Sequence, residues 1–460
     1  MKKEKNTPGN GMLQYAGLGY RLFILYVRLF YKYLYFRKIH LLNLENIPAA
    51  APLMIVSNHQ NGACDVLSIL LFLRRKNKRR KVRSVTRGDV MVHPAGNALM
   101  RWLGIMPAYR IDFEGIDSLD KNAPMLEMLE QELVNDGAVI LFPEANHQTK
   151  RWFGWFSPRY LFILFEAARK CGFEKEMYVL PACNHYNSYA GVQDTTLLKY
   201  GTPIALSPWY EKYGTKPKTV VREVNELVKR QITEMMLNIT DLEHYEAIDF
   251  LRNTYGVRYA RLNGLDPNHL PDKLTADKQL FAKLEDVKAR HPEAVEQVYA
   301  DALRLKAKTV QFGIHRRNVE EKRLFLQVLW QGFAGIVLLP VFILSALFNL
   351  LIFGIPKAIT SQLEDINVHC TIHIPAAVLV CIPLTFLLLF TLALVCTASV
   401  LTGFLCIALC PLLGIFLCFY CRAYGRWFNR VRFLLLSPVE KNEYLALRGQ
   451  LFESLDSLLK

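Results

Sequence analysis

The chain has 460 residues, is 52% hydrophobic, and carries a formal net charge of +15. Residues 1–40 contribute +7 and Arg74–Arg83 contribute +8, so the rest of the chain is close to neutral. Such concentrated charge predicts an anionic partner, and the long apolar segments described below favour phospholipid headgroups over nucleic acid. For Arg74–Arg83 a solvated loop is the alternative. Seven of the ten cysteines fall between Cys370 and Cys421, which excludes a disulfide scaffold.

Residues 1–37 are predicted to form a basic amphipathic segment at the membrane interface. Between Leu13 and Phe36 the charged residues are Arg21, Arg28 and Lys32, and they lie within about 40° of one another on a helical wheel. A basic stripe on an apolar, aromatic helix is typical of interfacial helices. A helix packed on the folded domain is the alternative.

The apolar run Pro52–Val56 predicts a buried strand, and the residues after it are the most informative in the chain. His59 can take a proton near neutral pH, and Asp65 can orient the imidazole and stabilise its charged form. Six residues along an ideal helix rotate by about 240°, so the two side chains would point apart on one helix. We therefore expect His59 in a turn bent at Asn61-Gly62, with Asp65 near the start of a helix that includes Val66–Leu73.

Strands and helices alternate through the next 150 residues. The further strands are predicted at Val82–Thr86, Ala138–Phe142 and Tyr178–Pro181, and the helices at Ala95–Leu103, Ser118–Val134 and Pro158–Lys170. This alternation predicts an α/β domain with a largely parallel sheet flanked by helices, and with its motifs at the strand ends.

Four motifs follow one another in a fixed order. They are Asn58-His59 with Asp65, Gly104-Ile105-Met106-Pro107-Ala108-Tyr109-Arg110, Phe142-Pro143-Glu144-Ala145-Asn146-His147, and Val179-Leu180-Pro181-Ala182 continuing to Gly201-Thr202-Pro203-Ile204. This series resembles the four sequence blocks of the phospholipid/glycerol acyltransferase family, over roughly residues 38 to 204. The resemblance implies a glycerolipid acyltransferase-like fold with a mixed or parallel sheet flanked by helices.

The same resemblance implies an activity. A fatty acyl group would pass from acyl-CoA or acyl-ACP, which is a substrate and not a cofactor, to glycerol 3-phosphate or 1-acyl-glycerol 3-phosphate. His59 would be the general base and Asp65 its partner. The expected substrate-binding residues are Asn61, Arg110, Glu144, Asn146, Lys150 and Arg151, with Arg110 on the acceptor phosphate and Glu144 shaping the acceptor site. The expected supporting residues are Asn58, Arg87 and Asp89. For Lys150 and Arg151 a solvated basic loop is the alternative.

The residue chemistry agrees with these roles. A hydroxyl needs a positioned base to attack a thioester at neutral pH, and a guanidinium suits a phosphate. Backbone amides at the start of the helix after Asn61-Gly62 are expected to stabilise the oxyanion. No nucleophile elbow is present, which favours direct transfer, and Cys64 is expected to pack in the core. No metal-ligand spacing occurs, so we expect no metal.

Two positions depart from the family pattern. Five residues separate His59 from Asp65, where most members have four; this resembles a branch with fungal glycerol-3-phosphate acyltransferases, in which Asn stands two positions after the His, as Asn61 does. Ala145 stands where the family usually has Gly after Pro-Glu. If that position requires positive φ, Ala costs about 1 kcal/mol.

The remaining chain is predicted to be helical and partly embedded in a membrane. The catalytic domain is predicted to span residues 38–215. It is followed by a charged helical extension (216–325), a membrane-embedded hydrophobic region (326–425) and a cytoplasmic tail (426–460). Gln331–Ile355 and Ile374–Cys421 carry no charge, and the second run, about 70 Å long as one helix, should break near Thr397-Ala398-Ser399 or Gly403. Counting the apolar runs by length gives three crossings, whereas basic residues on both flanks favour an even number. One segment could therefore be re-entrant, with the first as the candidate because it contains Pro340, and two or three crossings are expected.

These observations predict an integral membrane acyltransferase whose catalytic domain faces the cytoplasm. Two alternatives stay open at this point. One is the same fold acting on another acceptor, such as a lysophospholipid or an acylated amino acid. The other is a non-catalytic lipid-binding membrane protein with a decayed acyltransferase domain.

Overall fold

The computed structural model describes residues 16–73, 81–88, 94–109, 118–144, 150–189, 191–314 and 324–459. The chain divides into two compact units. The first comprises Met1–Lys32, Lys38–Asn238 and Asp365–Thr371, and the second comprises Tyr33–Arg37, Ile239–Glu364 and Ile372–Lys460.

An eight-stranded mixed sheet forms the centre of the first unit. Its strands are β1 (Phe36–Leu42), β2 (Leu53–Ser57), β3 (Arg83–Arg87), β4 (Ile105–Ala108), β5 (Ala138–Leu141), β6 (Tyr178–Tyr186), β7 (Asp194–Tyr200) and β8 (Ile204–Ala205). Their order is β1-β7-β6-β2-β5-β3-β4, with β8 paired to β6. The five strands from β6 to β4 are parallel, whereas β7 and β8 run antiparallel to β6. The predicted fold class is confirmed.

Strand β2 has no solvent-exposed face because the sheet is covered on both sides. Leu53 and Ile55 belong to one hydrophobic layer, and Met54 and Val56 belong to the other. A continuous apolar run is what such a strand requires. The helices of this unit are α1 (Leu18–Leu29), α2 (Gly62–Phe72), α3 (Pro94–Leu103), α4 (Ser118–Val134), α5 (Arg159–Lys170), α6 (Tyr210–Thr215) and α7 (Pro217–Met235).

Helix α1 leaves an apolar face uncovered. The predicted helix over Leu13–Phe36 is found from Leu18, and it passes through a π-helical turn at Phe30–Tyr35 into β1. Leu22, Leu25 and Leu29 are exposed along one side, and the predicted basic residues Arg21, Arg28 and Lys32 are exposed beside them. Exposed leucines flanked by cations fit a helix lying in a membrane interface, which stays a prediction.

The second unit is helical. Its first part contains α8 (Tyr245–Asn253), α9 (Tyr255–Leu262), α10 (Leu270–Arg290) and α11 (Pro292–Gln311). The chain then forms three helices that are long and apolar enough to cross a membrane, Leu324–Thr360, Val368–Thr397 and Val400–Leu435. A last helix spans Pro438–Leu458 and begins with a capping box between Ser437 and Glu440.

The break predicted in the second apolar run occurs at Ala398. This residue has a φ of +52°, between the helix that ends at Thr397 and the helix that begins at Val400. Hydrogen bonds also join the apolar helices: Asn349 Nδ2 donates to the carbonyl of Cys410 at 3.2 Å, and Trp427 Nε1 donates to that of Val328 at 2.8 Å. Such polar contacts hold helices together where water is scarce.

Candidate active site

The candidate site is built on the turn that joins β2 to α2. Helix α2 begins at Gly62, four residues earlier than Val66, so Asp65 lies in its first turn and His59 lies before it. Gly62 has a φ of +46°, a conformation that favours glycine. The chain therefore bends at Asn61-Gly62 as expected.

The bend brings His59 and Asp65 together. The imidazole Nδ1 lies 2.8 Å from Asp65 Oδ2, and the two side chains are 15% and 0% exposed. With Nδ1–H donating to the carboxylate, Nε2 on the opposite edge of the ring is the atom that can take a proton. The ring of Phe142 stacks on the imidazole with centroids 4.4 Å apart. This pair has the geometry of a general base and its orienting acid.

Asp65 is held by three further donors. Its Oδ2 accepts the backbone N–H groups of Gln60 and Asn61, each at 2.8 Å. Its Oδ1 accepts the hydroxyl of Tyr186 at 2.7 Å. Burial and the nearby Asp65 raise the pKa of Tyr186 well above its usual value, so the phenol keeps its proton. These hydrogen bonds replace the water that burial removes from the carboxyl group and hold Oδ2 towards His59.

A second network joins β2, β6 and α2 below the turn. Asn58 Nδ2 donates to the carbonyl of Asn184 at 2.9 Å, and Asn58 Oδ1 accepts the N–H of Asn184 at 2.8 Å. The side chain of Asn184 contacts Ser57 at 3.2 Å and also bonds Ser68 on α2. All four side chains are buried. The structure thus places Asn58 where it fixes the strand end that carries His59.

Glu144 reaches the same turn from the loop after β5. Its Oε1 accepts the backbone N–H of His59 at 2.9 Å. Burial raises the pKa of Glu144 to about 8, although this hydrogen bond and the amide of Gly154 act in the opposite direction. Burial therefore favours the neutral form of Glu144, whereas Asp65 is the carboxyl group in direct contact with the imidazole. Glu144 supports the backbone of His59, and its expected contact with the acceptor stays a prediction.

The predicted basic residues lie in different environments. Arg151 is buried, donates to the carbonyls of Tyr186 and Asn187 at 2.8 and 3.2 Å, and lies over the ring of Tyr189. It supports the end of β6, whereas Lys150 and Arg87 are exposed. The predicted roles of Arg110, Asn146 and Asp89, and the effect of Ala145, fall on residues outside the described parts of the chain.

Asn61, expected to bind substrate, contacts the loop after β6. Its Nδ2 donates to the carbonyl of Tyr189 at 3.2 Å, and Tyr189 donates in turn to Gln60 Oε1 at 3.2 Å. Both amide side chains are buried next to His59. Cys64 is also fully buried and packs as expected.

The expected oxyanion donors at the start of α2 are engaged elsewhere. The N–H of Ala63 donates to Thr371 Oγ1 at 3.0 Å, and the N–H of Cys64 lies 3.4 Å from Cys370 Sγ. The expectation that these amides stabilise an oxyanion is therefore wrong for Ala63 and Cys64. No local pattern predicts that residues 308 and 306 positions further along the chain would bond these two N–H groups.

Two other residues of the site were not predicted. Tyr186 and Asn184 come from the part of β6 beyond Pro181, where polar residues interrupt the apolar run. Asn184 and Tyr186 are two positions apart and therefore lie on the same face of the strand. This spacing was the signal in the sequence for a polar face near His59, because β6 pairs with β2 and brings Ala182 beside Ser57. Among the described residues, no group of three or more His, Cys, Asp or Glu side chains is arranged to hold a metal ion.

Comparison with known proteins identifies the family of the part of the chain that contains this site. A family model described as Acyltransferase matches residues 38–184, which contain His59, Asp65 and Glu144. This domain belongs to the acyltransferase family. A similar solved structure is the crystal structure of the 1-acyl-sn-glycerophosphate acyltransferase PlsC from Thermotoga maritima. It is 17% identical, and the match covers 47% of this chain and 78% of that chain with a TM-score of 0.33. The search of curated proteins finds no match.

The matched residues lie within the first unit, and the candidate base lies among them. The protein is an acyltransferase, and its three long apolar helices associate it with a membrane.

Proposed function

We propose that the protein transfers a fatty acyl group from a thioester, acyl-CoA or acyl-ACP, to a hydroxyl of 1-acyl-glycerol 3-phosphate or glycerol 3-phosphate. The observation that carries the proposal is the 2.8 Å contact between His59 Nδ1 and Asp65 Oδ2 at the end of a buried strand. Lysophosphatidic acid-type acceptors and fatty acyl products belong at a membrane, which agrees with the apolar helices.

In the proposed reaction, His59 first takes a proton and then returns it. His59 Nε2 takes the proton of the acceptor hydroxyl as its oxygen attacks the thioester carbonyl, and the thiolate leaves with a proton returned by the imidazolium. Asp65 stabilises the charged ring during this step, because its own charge is already held by amide and phenol donors. No acyl-enzyme is required. On this proposal Arg110 binds the acceptor phosphate and the domain faces the cytoplasm, in keeping with the arginines Arg422, Arg426, Arg430 and Arg432 that end the last apolar run.

The test is a transfer assay with the purified, detergent-solubilised full chain. Labelled acyl-CoA and acyl-ACP are each offered with glycerol 3-phosphate, 1-acyl-glycerol 3-phosphate, a lysophospholipid and an acylated amino acid. His59→Ala should reduce transfer at least about 10²-fold, because it removes the base. His269→Ala, which removes a partly exposed imidazole of the second unit, should leave transfer unchanged.

Two results would contradict the proposal. Wild-type rates in the His59→Ala variant would exclude His59 as the base. Transfer by the wild type to the acylated amino acid alone would replace the glycerol phosphate acceptor with a different one.

A further inference from the structure

The active-site helix α2 lacks a cap of its own. The first N–H groups of a helix have no partner within it, and a side chain at the N-cap position usually accepts from them. Asn61 occupies that position but makes no such bond, since its amide is directed to Tyr189. The N–H of Cys64 donates to the carbonyl of Asn61 at 3.0 Å, whereas the N–H of Ala63 takes its acceptor from outside this turn.

The contacts from outside this turn come from Asp365–Thr371, a segment of the first unit. Thr371 Oγ1 accepts the N–H of Ala63 at 3.0 Å. Cys370 Sγ lies 3.4 Å from the N–H of Cys64 and donates to the carbonyl of Asn61 at 2.9 Å. Both residues lie at the start of the apolar helix Val368–Thr397. The turn between His59 and Asp65 is thus bonded to the beginning of a potential membrane span.

We propose that Thr371 and Cys370 are positioning residues for acyl transfer, which cap α2 and so hold Asp65 against His59. This inference rests on the proposed function. If the first turn of α2 frays, the N–H groups of Gln60 and Asn61 lose their fixed relation to the Asp65 carboxylate. A displaced partner weakens the base without touching substrate, so kcat falls and KM stays.

Thr371→Val is the decisive variant, because it keeps the shape of the side chain and removes the acceptor. We expect kcat to fall about tenfold and KM to change less than about twofold. Hydrogen exchange at the amide of Ala63, measured on peptides covering residues 58–66, should become about tenfold faster. Thr371→Ser restores the hydroxyl and should restore both values.

Thr391→Val is the matched control, because Thr391 lies in the same apolar helix and bonds only its own turn, at Leu387, with its hydroxyl. Neither exchange at 58–66 nor kcat should change in it. Wild-type exchange and kcat in Thr371→Val would overturn the proposal, as would a Thr371→Ser variant as impaired as Thr371→Val.

Two further comparisons separate the test of the α2 cap from the test of the proposed function. If the wild type transfers to no acceptor, the proposed function fails, while the exchange rates of Thr371→Val and Thr371→Ser still decide whether Thr371 caps α2. If Thr371→Val does not fold, Cys370→Ala is compared with Cys381→Ala, which removes another buried thiol of this helix. Faster exchange at 58–66 in the first alone supports the cap, and equal exchange in both refutes it.

Discussion

Replacing Asp65 with Asn tests the central contact of the site with little change in shape. Oδ2 accepts three N–H groups, so the single carbonyl oxygen of Asn must take its place, and the amide NH₂ then faces the oxygen of Tyr186, which can accept. The variant should therefore fold. It loses only the negative charge beside the imidazole.

The size of the effect follows from the distance. Two unit charges 2.8 Å apart attract by about 6 kcal/mol at an effective dielectric of about 20. The amide oxygen still accepts a neutral hydrogen bond, worth about 1 kcal/mol. The imidazolium that forms during transfer should lose about 4–5 kcal/mol of stabilisation, and kcat should fall on the order of 10³-fold.

The assay is steady-state transfer to the acceptor that the wild type uses. Asp194→Asn serves as the control, because Asp194 has the same charge but bonds Asn187 and the N–H of Thr195. It should retain wild-type kcat. A folded Asp65→Asn variant with kcat within about tenfold of wild type would refute the electrostatic role of Asp65.

Three further changes probe other parts of the site. Tyr186→Phe removes one donor from the buried Asp65 carboxylate and should lower the free energy of unfolding by about 1.5–3 kcal/mol, measured with denaturant. An unchanged denaturation midpoint would contradict the hydrogen bond from Tyr186 to Asp65. Glu144→Gln tests a pH dependence of stability. Because burial raises the pKa of Glu144 from 4.5 to about 8, the folded state keeps a proton that the unfolded chain releases between these pH values. The free energy of unfolding of the wild type should therefore fall from pH 4.5 to 8, by on the order of 5 kcal/mol. The melting temperature of the wild type should be lower at pH 8 than at pH 5, and this difference should be much smaller in Glu144→Gln. An equal difference in both proteins would exclude the raised pKa of Glu144. Arg110→Ala should chiefly raise KM for a phosphorylated acceptor, and an unchanged KM would remove Arg110 from the phosphate site.

The core of the fold could be predicted because buried parallel strands read as apolar runs. Leu53–Ser57 and Ala138–Leu141 have no polar face, so their positions follow from hydrophobicity alone. Strand β4 was missed because it is four residues long and contains Pro107. Strand β7 was missed because it begins with Asp194-Thr195-Thr196, a polar sequence in which the two threonine side chains are buried only through the hairpin with β6.

The site could be predicted where it is local in sequence. His59 and Asp65 are six residues apart, and one turn determines whether they meet. Tyr186 lies 121 residues from Asp65, and Thr371 lies 308 residues from Ala63. Contacts of that kind depend on tertiary pairing, which leaves no periodic pattern in the sequence.

The left-handed turn at Ala398 has a consequence for how the chain enters a bilayer. Three small uncharged residues, Thr397, Ala398 and Ser399, connect the end of one long apolar helix to the start of the next. Moving such a loop through hydrocarbon carries no penalty for an ionised group. The loop between the two helices therefore presents no ionised side chain that would oppose their insertion as a pair.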